Sequence, residues 1–393
     1  MIGNRPGRVL FLVHNIEAWD SLADVFDQMQ AAPDFEPMVA TIPCLYHHGS
    51  DNSDGEVANH NGLSRLGVPH FRPATGDPEI ALDFIKKITP DIIFRQSPWE
   101  MDIPTAFGAN SLTFARLCYV PYFVGAVVDD FSAGGDRIDL HGDQLLHRLC
   151  WRIYAEHEIT VQNMRARSSR GGDHIVLSGH PKLDRLWKTR ARPAWPIESG
   201  TRAFRIVWAP HHSITAGWLG FGTFLRTYRD MLAWAQEDPA IEIVLKPHPA
   251  LFGRLRGDPT MRPEGLAEFL RAWGVLPNTA IVEGGDYGPL FAGSDAMITD
   301  GISFLSEYQI FDKPLVFLDS GHHVPFNRLG EQIIASAWRV GLVADARAFL
   351  NDFRRQGMDP TAKSRIATMQ LLRPFPGEAA QRIVQDLRVG LGI

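Results

Sequence analysis

The sequence predicts an α/β protein with two Rossmann-like halves, each a parallel sheet covered by helices. First, short apolar runs typical of buried strands alternate with runs of helical spacing, as they do in βαβ units. Second, residues 187–204 interrupt this alternation with prolines and charges, which indicates an interdomain linker. Third, the length of 393 residues is enough for two domains that each form a core.

The first half begins with a continuous apolar strand at residues 8–13 and a helix at residues 20–30. Buried strands are predicted further along wherever short apolar runs recur. These strands are expected at residues 38–42, 91–94, 118–120, 158–161 and 174–177.

The pattern restarts after the linker. Its predicted elements are strands at 205–208, 241–246 and 279–282, with helices at 223–236, 264–273 and 287–292. A strand, a polar corner, a short helix and a second strand follow, and helical segments complete the chain. We therefore predict a first domain over residues 1–190 and a second over 203–372, with a helix at 373–393 packing back toward the first domain.

Composition limits the class of partner. The formal charge is only −6, which gives no electrostatic basis for nucleic acid as a partner. No apolar run approaches the length of a membrane span, and the N-terminus lacks the pattern of a signal peptide. Cys44, Cys118 and Cys150 are odd in number and far apart, as expected for reduced thiols. We expect a cytoplasmic protein.

A polar corner lies in the run "SDAMITDGISFLSEYQIFDKPLVFL", where an apolar strand ending at Thr299 meets Asp300, Gly301 and a short helix from about Ser303. Ligands of open α/β sheets lie beyond strand carboxyl ends, glycine permits a sharp turn and close approach, and helix N-termini attract phosphate. Ser303 and Glu307 share a helix face. We interpret the corner as a nucleotide site, with Ser303 at the phosphate and Glu307 at the ribose hydroxyls. The alternative is a helix capped by Asp300 or Ser303, with Glu307 solvated.

Two histidine motifs follow other predicted strands of this half. The segment "LKPHP" contains Lys246 and His248, and "VWAPHHS" contains His211. Because the carboxyl ends of parallel strands meet at one edge, we expect both motifs to face the corner. The prolines fix the backbone around His248, and an imidazole beside Lys246 could bind a diphosphate or protonate a leaving oxygen. The alternative is that the prolines build only a strand-ending turn.

In this order and spacing, the three segments resemble the CDP-glycerol glycerophosphotransferase family, the teichoic-acid and capsule polymerases of the GT-B fold. The segment "LSGHPKLDRL" at residues 177–186 is similar to the G-x-P-[RK]-x-D segment of that family. The corner also resembles the S-G-G-x-x-E-E segment of UDP-N-acetylglucosamine 2-epimerases, GT-B enzymes in which a Glu holds the ribose. The resemblance covers residues 175–345. It implies a GT-B-like fold, with two Rossmann-like domains facing each other across a cleft.

The resemblance implies a transferase. Such an enzyme moves a glycerol-phosphate, or a related polyol-phosphate or sugar unit, from a nucleotide-activated donor such as CDP-glycerol to a glycan or lipid-linked polymer. It makes His248 a catalytic or phosphate-contacting residue and places Glu307 near the ribose. Together with the strand-edge argument, it gives as donor-binding residues Lys246, His211, Thr299, Asp300, Gly301, Ser303 and Glu307. No further cofactor is expected. The alternatives are a nucleotide-sugar epimerase or hydrolase, and a nucleotide-binding module without catalytic activity.

The first half departs from the family pattern. Many members carry a Trp-His-Gly-Thr segment whose His is thought to activate the acceptor, but the comparable strand here, "CYVPYFVG", has no His. His14, at the end of the first strand, is the replacement that we predict as the catalytic base; His180 and the Asp129–Asp130 pair are alternatives. The segment "RQSPWEMDIP" at residues 95–104 follows another strand, so Gln96, Trp99 and Glu100 could contact the acceptor.

Residues 182–195 combine basic side chains with Trp187 and Trp195, which suits weak peripheral contact with the inner face of the cytoplasmic membrane. A solvated linker is the alternative.

No metal site is predicted. The histidine pairs that begin at 211 and at 322 are each expected to have side chains that point apart along a strand. The loop at residues 47–56 contains potential metal ligands, but their spacing is that of neither an EF-hand nor a zinc site. These potential ligands are His47, His48, Asp51, Asp54 and Glu56.

Overall fold

The computed structural model of the protein describes residues 5–45, 55–73, 76–133, 136–139, 142–198, 203–215 and 218–393, the side chains of 130–141 excepted. The chain forms two compact units. The first comprises Met1–Val124, Asp139–Arg185 and Leu372–Ile393, and the second comprises Gly125–Ile138 and Leu186–Leu371. Of the metal loop considered above, His47, His48, Asp51 and Asp54 lie outside the described residues.

The strands, in chain order, are β1 Gly7–Val13, β2 Phe35–Thr41, β3 Ile92–Arg95, β4 Arg116–Tyr119, β5 Asp130–Ala133, β6 Asp136–Asp139, β7 Arg152–Ala155, β8 Ile175–Leu177, β9 Phe204–Ala209, β10 Ile241–Leu245, β11 Thr279–Ile281, β12 Ala296–Thr299, β13 Leu315–Leu318 and β14 Trp338–Val340. The helices are α1 Ala23–Gln30, α2 Gly55–Arg65, α3 Pro78–Ile88, α4 Leu145–Leu149, α5 Glu158–Arg167, α6 Pro181–Thr189, α7 Phe224–Glu237, α8 Leu251–Arg256, α9 Pro263–Gly274, α10 Gly288–Gly293, α11 Ile302–Glu307, α12 Arg328–Ile334, α13 Val343–Gln356, α14 Ala362–Leu372 and α15 Ala379–Leu391. Among the described helices, none has both the length and the apolar character that crossing a membrane requires.

The first unit contains a six-stranded parallel sheet in the order β2-β1-β3-β4-β7-β8. Its strands are nearly continuous apolar runs because helices cover both faces. Val9 and Phe11 pack on one face with helices α1 and α15, whereas Leu10 and Leu12 pack on the other. The order reverses between β1 and β3, which makes the carboxyl ends of these two strands the switch point of the sheet.

The C-terminal segment belongs to the first unit and is fastened there by Asp184. One carboxylate oxygen of Asp184 accepts from Arg373 Nη2 at 2.9 Å and the Gly377 amide at 2.8 Å, and the other accepts from the Ala379 amide at 3.2 Å. Asp184 is the last residue of the G-x-P-[RK]-x-D resemblance. In this unit, that motif therefore anchors helix α15.

The second unit contains a six-stranded parallel sheet in the order β11-β10-β9-β12-β13-β14. Its switch point lies between β9 and β12. An aromatic cluster packs in the core of this unit. The Trp208 ring stacks on the Phe224 ring with centroids 5.4 Å apart, and its centroid lies 5.5 Å from that of Trp273. Strands β5 and β6 form a separate two-stranded pair.

Two local predictions were wrong. Residues 158–161 start helix α5 instead of forming a strand, and the strand in this part of the chain is β7, six residues earlier. The His157 side chain accepts a hydrogen bond from the Thr160 amide and caps the N-terminus of this helix. The strand was predicted from the short apolar run alone, without regard to this cap. The predicted linker at 187–204 begins inside helix α6, which continues to Thr189.

Candidate functional site

Register brings three strand ends of the second unit together. Trp208 in β9 pairs with Leu245 in β10, and Ala209 pairs with Thr299 in β12. Backbone hydrogen bonds continue past the strands, because the Lys246 amide donates to the Trp208 carbonyl at 2.8 Å and the His248 amide to the Pro210 carbonyl at 3.1 Å. The Thr299 hydroxyl donates to the Ala209 carbonyl at 2.7 Å. The segments "PHHS", "KPHP" and "TDG" therefore leave the sheet at one edge, beside its switch point.

Asp300 ties two of these loops together. One carboxylate oxygen accepts from the His211 amide at 2.5 Å, and the other accepts from the Thr223 amide at 2.5 Å and the Thr223 hydroxyl at 2.7 Å. The residue is 1% exposed. Burial raises the pKa of Asp300 to about 6, against the hydrogen bonds from Thr223 and His211, which lower it. Its carboxylate thus positions the loop that contains His211.

The His211 ring is buried and neutral. Burial lowers the pKa of His211 to about 3. Its Nδ1 lies 2.7 Å from Ser213 Oγ and accepts from the Ser213 amide at 3.2 Å, while Ser213 Oγ accepts from the Phe221 amide at 3.0 Å. With Nδ1 accepting, the ring proton is on Nε2.

His248 has the same local arrangement. Its Nδ1 accepts from the Ala250 amide at 3.2 Å, so in the neutral ring the proton is again on Nε2. Its ring stacks on His212 with centroids 3.8 Å apart and lies 5.3 Å from the His211 ring. The prediction that the pair at 211 and 212 points apart along a strand was wrong. Strand β9 ends at Ala209, and in the loop beyond it the two rings are 4.4 Å apart.

The corner after β12 differs from its predicted form in two ways. Gly301 has φ −90° and ψ 141°, so the left-handed freedom of glycine is not used. A side chain there would instead place its Cβ 3.2 Å from Thr299 Oγ1, which itself accepts from the Gly301 amide at 2.9 Å. Helix α11 has only six residues, so its N-terminal dipole is small. Ser303 is exposed on its first turn.

Glu307 is fully buried at 0% exposure, which excludes the solvated alternative. Its Oε2 accepts a hydrogen bond from the Tyr287 hydroxyl. Lys246 Nζ lies 5.9 Å from the centroid of the Tyr287 ring, so one tyrosine links the "KPHP" lysine to the acidic residue below the corner. Tyr287 and Thr223 were not singled out by sequence reasoning, because their chain separation from the motifs leaves no local signal. His212 lies in "PHHS", but it was expected to point away from His211.

The first unit has its own polar cluster at the switch point between β1 and β3. Gln96 Oε1 accepts from the His14 amide at 2.9 Å and the Asn15 amide at 3.0 Å, while Gln96 Nε2 donates to the Asn15 carbonyl at 2.9 Å. His14 Nε2 lies 3.2 Å from Ser97 Oγ. Burial, followed by the charge of Arg95, lowers the pKa of His14 to about 3. His14 is therefore neutral at pH 7 and a weak proton acceptor.

Arg95 is the last residue of β3, and two acidic residues lie in the loop that follows. Arg95 is 1% exposed and pairs with Glu100 Oε1 at 2.6 Å, while Glu100 Oε2 accepts from the Ala109 amide at 3.0 Å. Glu100 is thereby engaged in fixing the loop. Burial raises the pKa of Asp102 to about 6, against the charge of Arg95. Sequence reasoning missed Asp102, although it lies in the segment assigned to the acceptor.

The two alternative bases occupy structural positions. His180 Nε2 lies 2.8 Å from the Pro121 carbonyl and its Nδ1 accepts from the Lys182 amide at 3.2 Å, so both ring nitrogens are engaged. Asp129 Oδ1 accepts from Asn327 Nδ2 at 3.1 Å. The Asp130 side chain lies outside the described part of the chain.

Comparison with known proteins places the fold. No family model matches the chain, and no curated protein matches its sequence. Among solved structures, the Staphylococcus aureus MnaA–UDP complex matches with a TM-score of 0.66 at 13% identity, covering 98% of this chain and 97% of that one. UDP-GlcNAc 2-epimerase from Neisseria meningitidis bound to UDP-GlcNAc gives 0.64 at 13% identity, covering 97% and 99%. A variant of the wall teichoic acid polymerase TagF soaked with CDPG gives 0.61 at 12% identity, covering 99% and 90%. These likenesses show the fold: the chain has the GT-B-like, two-domain α/β architecture that the sequence predicts.

Proposed function

We propose that this protein is an enzyme acting on a nucleotide-activated donor, and that it transfers a glycerol-phosphate, or a related polyol-phosphate or sugar unit, to a cell-surface glycan or teichoic-acid-like acceptor. The observation that supports this most directly is the convergence of His211, His248 and Lys246 on the switch-point edge of the second unit. Open α/β sheets bind nucleotides at that position.

The tautomers of the two histidines suit phosphate. In both rings a backbone amide two residues further on donates to Nδ1, so the neutral ring carries its proton on Nε2, and we assign that N–H group to the phosphate. A neutral N–H donor binds an anion without the desolvation cost of a buried charge. Lys246, 3% exposed, supplies the positive charge. In this proposal Asp300 acts through His211, because its own oxygens are occupied and its negative charge would repel a phosphate.

Glu307 and Ser303 are assigned the remaining donor contacts. Ser303 is exposed at the start of α11 and binds a phosphate oxygen. Glu307 binds the ribose hydroxyl pair and Tyr287 orients its carboxylate, as the hydrogen bond from the Tyr287 hydroxyl to Glu307 Oε2 suggests. Thr299 and Gly301 support the corner through their mutual hydrogen bond.

The first unit is assigned the acceptor. A general base works best when its pKa is close to the working pH. Asp102, with a pKa of about 6, meets that condition better than His14, with a pKa of about 3. We therefore propose that Asp102 takes the acceptor proton and that His14, held by Gln96 and Ser97, is a neutral hydrogen-bonding partner.

A second candidate function is epimerisation or hydrolysis of a nucleotide sugar. The observation in its favour is the fold comparison, in which the Neisseria meningitidis epimerase has a TM-score of 0.64 and the polymerase 0.61. Both candidates use the same donor half and differ in the fate of the bound sugar or polyol.

Ligand binding and product analysis test the proposal in two steps. CDP-glycerol, UDP-N-acetylglucosamine and a CMP-sugar are added separately, and thermal stability is measured. A ligand at a hundred times its dissociation constant should add about 2.7 kcal/mol to the free energy of unfolding. The stabilising donor is then incubated with the protein alone and with a glycan acceptor. Transfer only in the presence of acceptor supports a transferase; an epimer or free sugar without acceptor supports the second candidate. Stabilisation by none of the three would contradict both, and stabilisation without turnover would leave a nucleotide-binding module.

A further inference from the structure

Three histidines of the second unit form a cluster that could bind a metal ion. His211, His212 and His248 each offer a ring nitrogen, and the three nitrogens lie within 4.8 Å of one another. Two of the residues follow β9 and the third follows β10, neighbouring strands in the sheet. The pairing of these two strands therefore fixes the backbone on both sides of the cluster.

One member is rigid and two can adjust. His211 is 6% exposed; its amide donates to Asp300 and its Nδ1 lies beside Ser213 Oγ, which accepts from the Phe221 amide. His212 and His248 are half-buried on loops. A tetrahedral ion with metal–nitrogen distances of 2.0–2.1 Å needs ligand nitrogens about 3.3 Å apart. The two half-buried rings must therefore close by up to about 1.5 Å, a distance that side-chain rotation can supply.

The ligand set also defines the class of ion. Three imidazoles with no carboxylate suit zinc, cobalt, nickel or copper and disfavour magnesium or calcium. A metal ligand must be unprotonated at the coordinating nitrogen. Coordination through Nε2 of His211 requires the ring proton to move to Nδ1, where Ser213 Oγ at 2.7 Å can accept it. A ligating histidine usually donates its other N–H group to such a partner.

We propose that His211, His212 and His248 bind one divalent transition-metal ion of the zinc and cobalt class. This inference departs from the absence of metal predicted from the sequence. It does not rest on the proposed function, because the ion is expected to bind without any nucleotide. It has a consequence for that function, since the coordinating tautomer lacks the Nε2–H donors assigned to phosphate. The ion and a phosphate held by those N–H groups should compete.

The test is a cobalt titration of the full-length protein after removal of metals with a chelator. We expect a visible d–d absorption that saturates at one ion per chain and is displaced by zinc. His212→Gln and His248→Gln should each weaken binding by more than about 100-fold, beyond the 10- to 100-fold loss typical of an outer-shell partner. His60→Gln is the matched control, because His60 contacts His70 in the first unit at 2.7 Å. It should leave the affinity unchanged.

Circular dichroism identifies any variant that fails to fold, and one measurement needs no variant. X-ray absorption of the zinc-loaded wild-type protein should give three imidazole nitrogens at about 2.0–2.1 Å. Absence of saturable binding, equal affinity in the double variant of His212 and His248, loss of binding in the His60 control, or fewer than three imidazoles would each overturn the proposal. A failure of the nucleotide experiments would leave it untouched, because no step of this test contains a nucleotide.

Discussion

Replacing Asp300 with Asn should change how the stability of the second unit depends on pH. Asp300 has an ordinary pKa of 3.8 and a pKa of about 6 in the folded protein. Between these values the folded state binds more protons than the unfolded chain, so the free energy of unfolding falls as the pH rises. A shift of about two units corresponds to about 3 kcal/mol at full ionisation. Between pH 4 and pH 7.5 the wild-type protein should lose about 2–2.5 kcal/mol through this group.

Asn cannot ionise, so Asp300→Asn removes that dependence. The variant also keeps only one acceptor oxygen where the carboxylate serves both His211 and Thr223. This loss is independent of pH and costs about 1–3 kcal/mol, the penalty for a buried donor left without a partner. The variant should therefore be less stable than the wild type at pH 4 and should recover about 2–2.5 kcal/mol relative to it by pH 7.5.

Chemical denaturation of both proteins across this pH range measures the effect. Asp319→Asn in the same unit is a control that should show little pH dependence over this range. Although burial opposes it, the Gly321 amide and Arg339 lower the pKa of Asp319 from its ordinary 3.8, so the stability that Asp319 contributes is lost mainly below pH 4 and changes little between pH 4 and pH 7.5. Parallel stability profiles for the wild type and Asp300→Asn would refute the raised pKa. Equal stability of the two proteins at pH 4 would refute the positioning role, which rests on the hydrogen bonds to His211 and Thr223.

Three further predictions concern binding, chemistry and location. Glu307→Ala should weaken binding of the nucleotide donor by about 1–3 kcal/mol in calorimetry, because the ribose hydroxyls lose a buried partner. Unchanged affinity in a folded variant would remove Glu307 from the donor site. Tyr287→Phe separates the effect of losing the carboxylate from the effect of losing the hydroxyl that orients it. His248→Ala should lower turnover by a factor of about 10²–10⁴ if its imidazole transfers a proton or stabilises developing charge on phosphate; normal turnover with altered thermal stability alone would show that "KPHP" builds only a turn. Sedimentation with anionic vesicles should show weak binding that high salt abolishes. The binding would come from exposed basic side chains such as Lys188 and Arg190, each of which contributes about 1 kcal/mol near an anionic surface. Protein that remains in the supernatant at low salt would exclude membrane contact and favour a soluble acceptor.

Fewer basic residues of the segment 182–195 are available for membrane contact than its sequence suggests. Lys182 is 7% exposed, and Arg185 Nη1 pairs with Asp24 at 3.1 Å within the first unit. Trp187 is stacked under Arg190 at 4.0 Å. The burial of Lys182 and the pairing of Arg185 are tertiary facts that the charge pattern alone does not reveal.

The alternation of strands and helices, the two-domain architecture and the strand-end motifs follow from the sequence alone. Hydrophobic periodicity is a local property, and the carboxyl end of a parallel strand is a binding position wherever the strand lies in the sheet. His248, His211 and Asp300 were accordingly predicted at a common edge, and the second unit brings them there. The misassigned helix at 158–161 shows the limit of this reasoning, because a short apolar run has no decisive period.

The roles within the site were decided by the tertiary structure. Asp300 lies 77 residues from Thr223 and 89 from His211, and the sequence gives no indication that its carboxylate is used to position them. Glu307 is buried with Tyr287, 20 residues away, although four-residue spacing alone allowed it to be solvated. The pKa values of His14, Asp102 and Asp300 depend on burial. Burial is set by what packs around a residue, and those neighbours come from distant parts of the chain.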